Sequence, residues 1–314
     1  MSKKDNCTIK ILTYNIFCRP PFIVNNRTLN DHKWARLRDI IDIVIENYDI
    51  ICFQEMFGTL SFKRSWLIRE AKKKGFIYSA YSGNPLNDTK FNKKDKCWTP
   101  TVDGGLLTIS KYPFDESVNI KEIIFSKSSG MDSLSRKGSI FTRIKISEAI
   151  SIDLYNTHFQ SQDGNLFHQI RMSQASELSL FMNCNSIGSN SKTVILAGDL
   201  NVDANSLYYQ DLISNLNSHY TNELYDTMYF IDKSNRITSG DIKNENCSIT
   251  NPEYSSTFKS IDYIFIYNNN KLISGKKCKA DILKFGSENF INLSDHYAVS
   301  YEMGYIPDNI IIEI

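Results

Sequence analysis

The sequence has almost no net charge: 36 Lys and Arg stand against 35 Asp and Glu, leaving +1 at neutral pH. A chain that works on duplex DNA usually carries a basic excess, because phosphate neutralisation supplies most of its affinity. The balance therefore argues against a nucleic-acid partner. Long apolar runs are missing as well. No stretch approaches the roughly 20 apolar residues needed to span a bilayer. The opening Met1-Ser2-Lys3-Lys4-Asp5 leads directly into Ile9-Lys10-Ile11-Leu12 without the apolar core of a secretory leader. The expected location is the cytoplasm or a peripheral membrane surface. The seven cysteines are odd in number and show no paired spacing, which speaks against a disulfide framework and for buried thiols in a reducing compartment. No repeat period and no Pro/Gly-rich linker marks a domain boundary.

What is present is enough apolar and aromatic material, 41% and 12% of the residues, for a sizeable core. Short runs rich in Ile, Val, Phe and Tyr recur along the whole chain. Residues 9–14, 50–53, 105–110, 140–146, 152–157, 193–197, 261–267 and 298–301 read as buried strands. Trp34, Leu37, Ile40, Ile41 and Val44 recur at helical spacing, and a second helical pattern runs from Leu166 to Phe181. Alternating strands and helices of this kind predict a mixed α/β domain with two packed sheets. One domain over residues 1–303 is expected, followed by a short tail at 304–314. Three polar stretches, 82–101, 126–137 and 234–256, are long for simple connections, and such loops often carry function.

Chemistry-bearing side chains gather where apolar runs stop. Asn15 closes the first strand, Gln54-Glu55 the second, His158 another and Asp199-Leu200-Asn201 another, while Asp262 opens a strand and Asp295-His296 precedes the last. Each alone fits a turn or a surface carboxylate. Together, Asn15, Glu55, Asp199, Asn201 and Asp295 supply the oxygen ligands that hard divalent ions prefer. His158 and His296 supply proton transfer near neutral pH, and Asp262 suits the orienting of one imidazole. The other three of the 5 histidines, His32, His168 and His219, lie in polar or helical settings and read as structural or surface groups. Such a set suits attack of water on a phosphodiester.

In this order the motifs resemble the endonuclease/exonuclease/phosphatase superfamily, from Leu12-Thr13-Tyr14-Asn15 to Ser294-Asp295-His296-Tyr297. The resemblance implies a deoxyribonuclease-like four-layer α/β/β/α sandwich with the site at one edge of the paired sheets. It implies Mg²⁺ as cofactor, with Mn²⁺ as a substitute, Glu55 as the main ligand and Asn15 beside it. Asp199 and Asn201 are implied to orient the phosphate, the water or a second metal, Asp262 to orient His296, and Asp295 to add a carboxylate. His296 is carried over both as a catalytic and as a metal-site residue.

Within the superfamily, Asn156-Thr157-His158-Phe159-Gln160-Ser161-Gln162-Asp163 is similar to the Thr-His-x-Gln-x-x-Asp pattern of neutral and bacterial sphingomyelinases. Asp103-Gly104-Gly105 through Ser110-Lys111-Tyr112-Pro113 resembles their Gly-Gly segment. Asp132-Ser133-Leu134-Ser135-Arg136-Lys137-Gly138 resembles a loop in which Asp and Lys are implicated in a catalytic rearrangement, so Asp132 and Lys137 are expected to act as a loop switch. The implied activity is Mg²⁺-dependent hydrolysis of sphingomyelin to ceramide and phosphocholine at a membrane surface. The implied proton acceptor is His296, with Asp199 as the alternative and His158 assisting the leaving oxygen. An endonuclease or DNA-repair phosphodiesterase of the same fold, or a phospholipase C acting on another sphingolipid or lysophospholipid, is the competing reading. An inositol polyphosphate phosphatase fits less well, because the Trp and Tyr-Arg flanks and the Cys-Asp-Arg motif of that branch are missing. A non-catalytic lipid-binding module fits poorly, since no metal or proton-transfer residue has been lost.

Overall fold

The computed structural model describes residues 7–20, 31–89, 102–148, 150–186, 193–220, 224–232, 235–250, 256–268 and 278–305. Two six-stranded sheets form the centre. The first is built from β1 (Cys7–Asn15), β2 (Ile50–Gln54), β3 (Tyr78–Tyr81), β4 (Leu107–Ser110), β11 (Lys279–Leu283) and β12 (Ala298–Tyr305), ordered β11-β12-β1-β2-β4-β3. The second is built from β5 (Lys121–Ile124), β6 (Gly138–Lys145), β7 (Ser151–His158), β8 (Thr193–Asp199), β9 (Leu224–Asp226) and β10 (Asp262–Asn268), ordered β5-β6-β7-β8-β10-β9.

Alternation along the strands explains the layering. On β1, Ile9 and Ile11 join the core shared with the second sheet, whereas Leu12 and Tyr14 join a core on the other face. Neighbouring β2 splits likewise, Ile50 and Cys52 inward, Ile51 and Phe53 outward. Successive strand residues point to opposite faces, and burial on both faces produces continuous apolar runs. The outer core is closed by α1 (Lys33–Asp39) and α2 (Lys63–Lys73) through Leu37, Leu67 and Ala71. On the far side α3 (Asn165–Ser186) and α4 (Tyr208–Leu216) cover the second sheet through Ala175, Leu178, Phe181 and Leu212. The order is α/β/β/α, the sandwich expected.

Several local expectations change. The pattern from Trp34 to Val44 is not one α-helix: α1 ends at Asp39 and passes into a π-helical turn over Ile40–Val44 and a 3₁₀ turn over Ile45–Asn47. Trp34 does not face the core. It lies at the surface, edge-on to Trp66 and under the Lys63 ammonium. Four short strands (β3, β5, β9 and β11) and three helices (α2, α4 and α5, Glu245–Thr250) stand outside the segments expected to be strands or helices. The tail expected from 304 starts inside a strand, because β12 stays in register with β1 to Tyr305 opposite Cys7. Among the described cysteines Cys18, Cys52 and Cys247 are buried thiols, but Cys184 and Cys278 are exposed.

Strand direction positions the site. β1 and β2 run parallel, as do β7 and β8, so Asn15 pairs with Gln54 and His158 with Asp199 at common ends. β10 runs antiparallel to β8, which sets its first residue, Asp262, opposite the last of β8, Asp199. Residues directly paired share a face, and His158, Asp199 and Asp262 thus stand in a row along one edge. Beneath them Gln54 donates to Asn156 Oδ1 at 2.8 Å and to Thr13 Oγ1 at 3.0 Å, while Asn156 Nδ2 donates to the carbonyls of Phe53 and Leu107, both at 3.2 Å. This buried, satisfied network ties the two sheets together and keeps the edge in register. Gly198 belongs to the same device, with φ of 153° and space so tight that a Cβ would lie 2.0 Å from the Thr157 carbonyl.

Candidate active site

The edge opens into a cleft of about 400 Å³ lined by Glu55, Lys137, His158, Asp199, Asp295 and His296, among others. Asn15 and Asp262 lie behind these and hold them. Asn15 Nδ2 donates to Asp199 Oδ2 at 3.1 Å and faces Glu55 Oε1 at 3.4 Å, and Asn15 Oδ1 accepts from the Phe17 amide. Glu55, the first residue past β2, has φ of 57°, as Asn201 past β8 has φ of 52°. Left-handed backbone at a glutamate is strained and persists only where its surroundings fix it. Here the turn swings a carboxylate back over the strand end. Asn201 donates its amide to Asp199 Oδ1 at 3.0 Å and its side chain to the Phe159 carbonyl at 3.2 Å.

Two imidazoles flank Asp199. His296 Nδ1 meets Asp262 Oδ2 at 2.8 Å, and its Nε2 lies 3.9 Å from Asp199 Oδ2. Burial opposes its charge, but the carboxylates of Asp262, Asp199 and Asp295 outweigh burial and raise its pKa well above the ordinary range. His158 Nε2 lies 3.4 Å from the same Asp199 oxygen and 3.0 Å from Lys137 Nζ. Burial, then the Lys137 ammonium, then His296 push it well below the ordinary range, so it is neutral. Burial, then the Asp262 carboxylate, push Asp199 up to about 7. Burial, then Asp295, push Glu55 upward as well.

Lys137 is no solvated loop charge. It is 4% exposed and spends its three donors on Asp132 Oδ2 (3.2 Å), His158 Nε2 (3.0 Å) and the Phe159 carbonyl (2.6 Å). Asp132, in a 3₁₀ turn over Gly130–Leu134, also accepts from the Ser161 amide at 2.6 Å, the Ser161 hydroxyl at 2.8 Å and Gln160 Nε2 at 3.0 Å. Asp132, Lys137, His158 and Asp199 are therefore one connected chain. Asp163, at the end of the same motif, is a different matter: it sits at the rim, paired with Lys259 at 2.6 Å with 60% of its side chain exposed. Asp103 of the Gly-Gly segment lies outside the cleft, where it accepts from the amides of Gly58 and Thr59 and pairs with Arg64. His168 stacks on Tyr208 and pairs with Asp211, away from the site.

Sequence reasoning missed the residues that hold the last segment. Asn244 donates to the Ser294 carbonyl at 2.9 Å, Asn246 to the Asn292 carbonyl at 2.8 Å, and the Cys247 thiol to the Asp295 carbonyl at 3.3 Å. All three lie at α5, inside the long polar stretch 234–256, and no pattern in that stretch singles them out. Thr238 Oγ1 accepts the amides of Ile261 and Asp262. Arg36 is 1% exposed and donates to the carbonyls of Ile16, Phe17, Asp31 and Leu293, joining the turn after Asn15 to the segment before Asp295. A charged residue four positions before Ile40 on an apolar helical face was a legible signal of that role.

A model of the endonuclease/exonuclease/phosphatase family matches residues 12–296. The chain belongs to that family. Among the relatives it resembles is a phospholipase C of Staphylococcus aureus, 26% identical, with 95% of this chain and 88% of that protein covered. Another is a sphingomyelinase C of Leptospira interrogans, 27% identical over 83% of this chain and 44% of that larger protein. In fold the chain is similar to SmcL (TM-score 0.71, 21% identical, 95% and 99% of the two chains covered). It is also similar to a Staphylococcus aureus beta toxin crystallised with bound magnesium ions (TM-score 0.69, 23% identical, 94% and 99% covered). Members of the endonuclease/exonuclease/phosphatase family are hydrolases of phosphate esters for which metal dependence is typical, and the cleft described is that of a phosphodiester hydrolase.

The donor set fits a hard divalent ion. Glu55 Oε2 and Asp262 Oδ1 are buried with no hydrogen-bond partner among the described residues, and a buried carboxylate oxygen in that state is costly unless a cation arrives. Ligand atoms of Asp199, Asp262 and His296 lie within 4.8 Å of one another. His296 Nδ1 is committed to Asp262, so the oxygens of Glu55, Asn15 and Asp199 are the better match to such an ion.

Proposed function

We propose that residues 1–303, continued by the last strand to Tyr305, form a single catalytic domain that hydrolyses sphingomyelin to ceramide and phosphocholine, with Mg²⁺ held by Glu55 and Asn15 and assisted by Asp199, Asn201 and Asp295. Mn²⁺ is the expected substitute. The observation that carries this reading is the connected chain from Asp132 through Lys137 to His158. The loop that resembles neutral sphingomyelinases in sequence ends on the site's own imidazole, and the relatives named phospholipase C and sphingomyelinase C support the same class. The rim suits an amphiphile: Met131 and Leu134, on either side of Asp132, are 58% and 37% exposed and line the cleft. No helix among the described residues is long and apolar enough to cross a membrane. Groups such as Met131 and Leu134 are where a lipid surface would meet the cleft.

When bound, the ion neutralises phosphoryl oxygens and the charge developing on the leaving oxygen. The chain's own residues do the rest. His296, oriented by Asp262 as the imidazole of a triad is, takes the proton of the attacking water. The carboxylates that raise its proton affinity make it a strong acceptor once free of its own proton, and Asp199, up to about 7, is the alternative. His158, kept neutral, stands across Asp199 and serves the departing ceramide oxygen together with the Lys137 ammonium beside it, which supplies the positive charge on that side. An alkoxide is a poor leaving group, so that side needs a proton source or a charge.

A panel of sphingomyelin, lysophosphatidylcholine and inositol-phosphate sphingolipid, assayed with Mg²⁺ and with chelator beside a plasmid-nicking assay, tests the reading. Phosphocholine release from sphingomyelin, abolished by chelator, is expected. Preferential nicking of plasmid would overturn it in favour of the nuclease reading.

A further inference from the structure

Four basic side chains other than Arg19 line the cleft, Lys137, His158, Lys259 and His296, and each has a partner. Lys137 is spent on Asp132, His158 and the Phe159 carbonyl, Lys259 pairs with Asp163, His296 pairs with Asp262, and His158 is neutral. Arg19 is different. It lines the same cleft beside Pro20 and Glu55, and its Nε and Nη2 are buried with no hydrogen-bond partner among the described residues. It forms no ion pair within 4.0 Å among those residues, although its charge reaches the Glu55 carboxyl and offsets part of the rise that burial and Asp295 impose there. Arg19 as a whole is half-buried, but these two nitrogens lose hydration without recompense unless a ligand supplies the acceptors.

The side chain is also braced. Its guanidinium carbon sits 4.3 Å from the centre of the Phe17 ring. Phe17 is itself fixed, 1% exposed, with φ of 50°, its amide donating to Asn15 Oδ1 and its carbonyl accepting from Arg36. The fork is thus fastened to the same residue, Asn15, that holds Glu55 and Asp199. Two adjacent N–H groups of an arginine match two oxygens of one phosphoryl group.

We infer that Arg19 is a phosphate-binding residue of the cleft, donating from Nε and Nη2 to non-bridging oxygens of the phosphodiester. It supplies a fixed positive charge on the Glu55 side, opposite the Lys137 side. The class of ligand is a phosphoryl anion with at least two free oxygens, as a phosphodiester and inorganic phosphate both have. This inference deepens the phosphodiesterase reading but does not depend on which lipid is cleaved.

Full-length wild type, Arg19→Ala and Arg19→Lys are compared in three measurements. These are inorganic phosphate binding by calorimetry with Mg²⁺ present, hydrolysis of the soluble diester bis(p-nitrophenyl) phosphate, and hydrolysis of sphingomyelin in mixed micelles. Arg19→Ala is expected to weaken phosphate binding and lower kcat/KM on the soluble diester by about ten- to a hundredfold, the range of lost charge-assisted hydrogen bonds. Its Tm is expected to stay within a few degrees of wild type, and Arg19→Lys to recover part of the loss because the charge returns without the fork. Equal phosphate affinity in wild type and Arg19→Ala, or no phosphate binding by wild type, overturns the inference. If wild type cleaves the soluble diester but not sphingomyelin, the lipid reading falls while the Arg19 comparison on the diester still decides this one.

Discussion

The cleft has two sides that differ in one respect: each presents a buried histidine to the same oxygen of Asp199, and the two histidines are driven in opposite directions. On the β10 and β12 side, His296 leans on Asp262 at 2.8 Å and is held charged. On the β6 and β7 side, His158 shares its Nε2 with Lys137 at 3.0 Å and is held neutral. Burial acts on both in the same sense, against charge. The difference comes from the sign of the nearest partner, since a charge in a poorly solvated site outweighs desolvation when it is close and oriented. These resting states set a condition on each role: His296 accepts the water's proton only after losing its own, and beside the neutral His158 it is the Lys137 ammonium that brings positive charge to the leaving side.

The largest expected effect breaks the charged side. His296→Ala should lower sphingomyelin turnover by ~10³-fold or more, in keeping with loss of positioned acid–base chemistry together with its electrostatics. Circular dichroism should show an intact fold, because the ring lies at the cleft wall and not in the apolar core. Wild-type-like hydrolysis in that variant would remove His296 from the mechanism. The second effect is aimed at the neutral side. Lys137→Met should cost about ten- to a hundredfold in kcat, on the scale of a lost hydrogen bond to a charged group. The pH profile carries the sharper information. His158 is depressed, first by burial and then by Lys137. Removing the ammonium lets the ring keep a proton to higher pH, so the acid limb of kcat should move upward. An acid limb that stays in place would mean that Lys137 does not tune His158.

The smallest effect sets a buried pair against an exposed one. Asp132–Lys137 and Asp163–Lys259 both border the cleft, but the side chains of the first are 14% and 4% exposed and those of the second 60% and 25%. Exposed pairs contribute about 0–1 kcal/mol. Asp163→Asn should therefore change kcat/KM less than about threefold, while Asp132→Asn follows Lys137→Met. Equal losses from the two substitutions would show that the motif ending at Asp163 acts as a unit, against the difference in burial.

Much of the site was legible one segment at a time, because each chemical side chain follows or precedes an apolar run. Asn15, Glu55, His158, Asp199, Asp262 and Asp295-His296 are conspicuous for that reason, and Asp132 and Lys137 for their spacing before Gly138. The helices that cover the sheets were less legible. α2 carries Lys or Arg at five of its 11 positions, which breaks up its apolar face, and α4 repeats Tyr209, Leu212, Ile213 and Leu216 at helical spacing over only 9 residues, too few for the period to stand out. The π-turn after Asp39 hid inside an apolar pattern that reads as one helix. Least legible were the supports. Asn244, Asn246 and Thr238 act on backbone carbonyls and amides some 20 to 50 positions away, and nothing in their neighbours distinguishes them from other polar loop residues.

By itself the sequence determined the strand-and-helix class, the oxygen-rich ligand set and the two candidate imidazoles, because these depend on residue type and on short-range period. Tertiary structure decided what those residues are to one another. Parallel β7 and β8 with antiparallel β10 put His158, Asp199 and Asp262 side by side, and the folding back of β12 beside β1 brought His296 to them. Protonation state belongs to this second class as well. It depends on which charge lies within a few ångströms in a buried cleft, and that is a distance through space which no spacing along the chain contains.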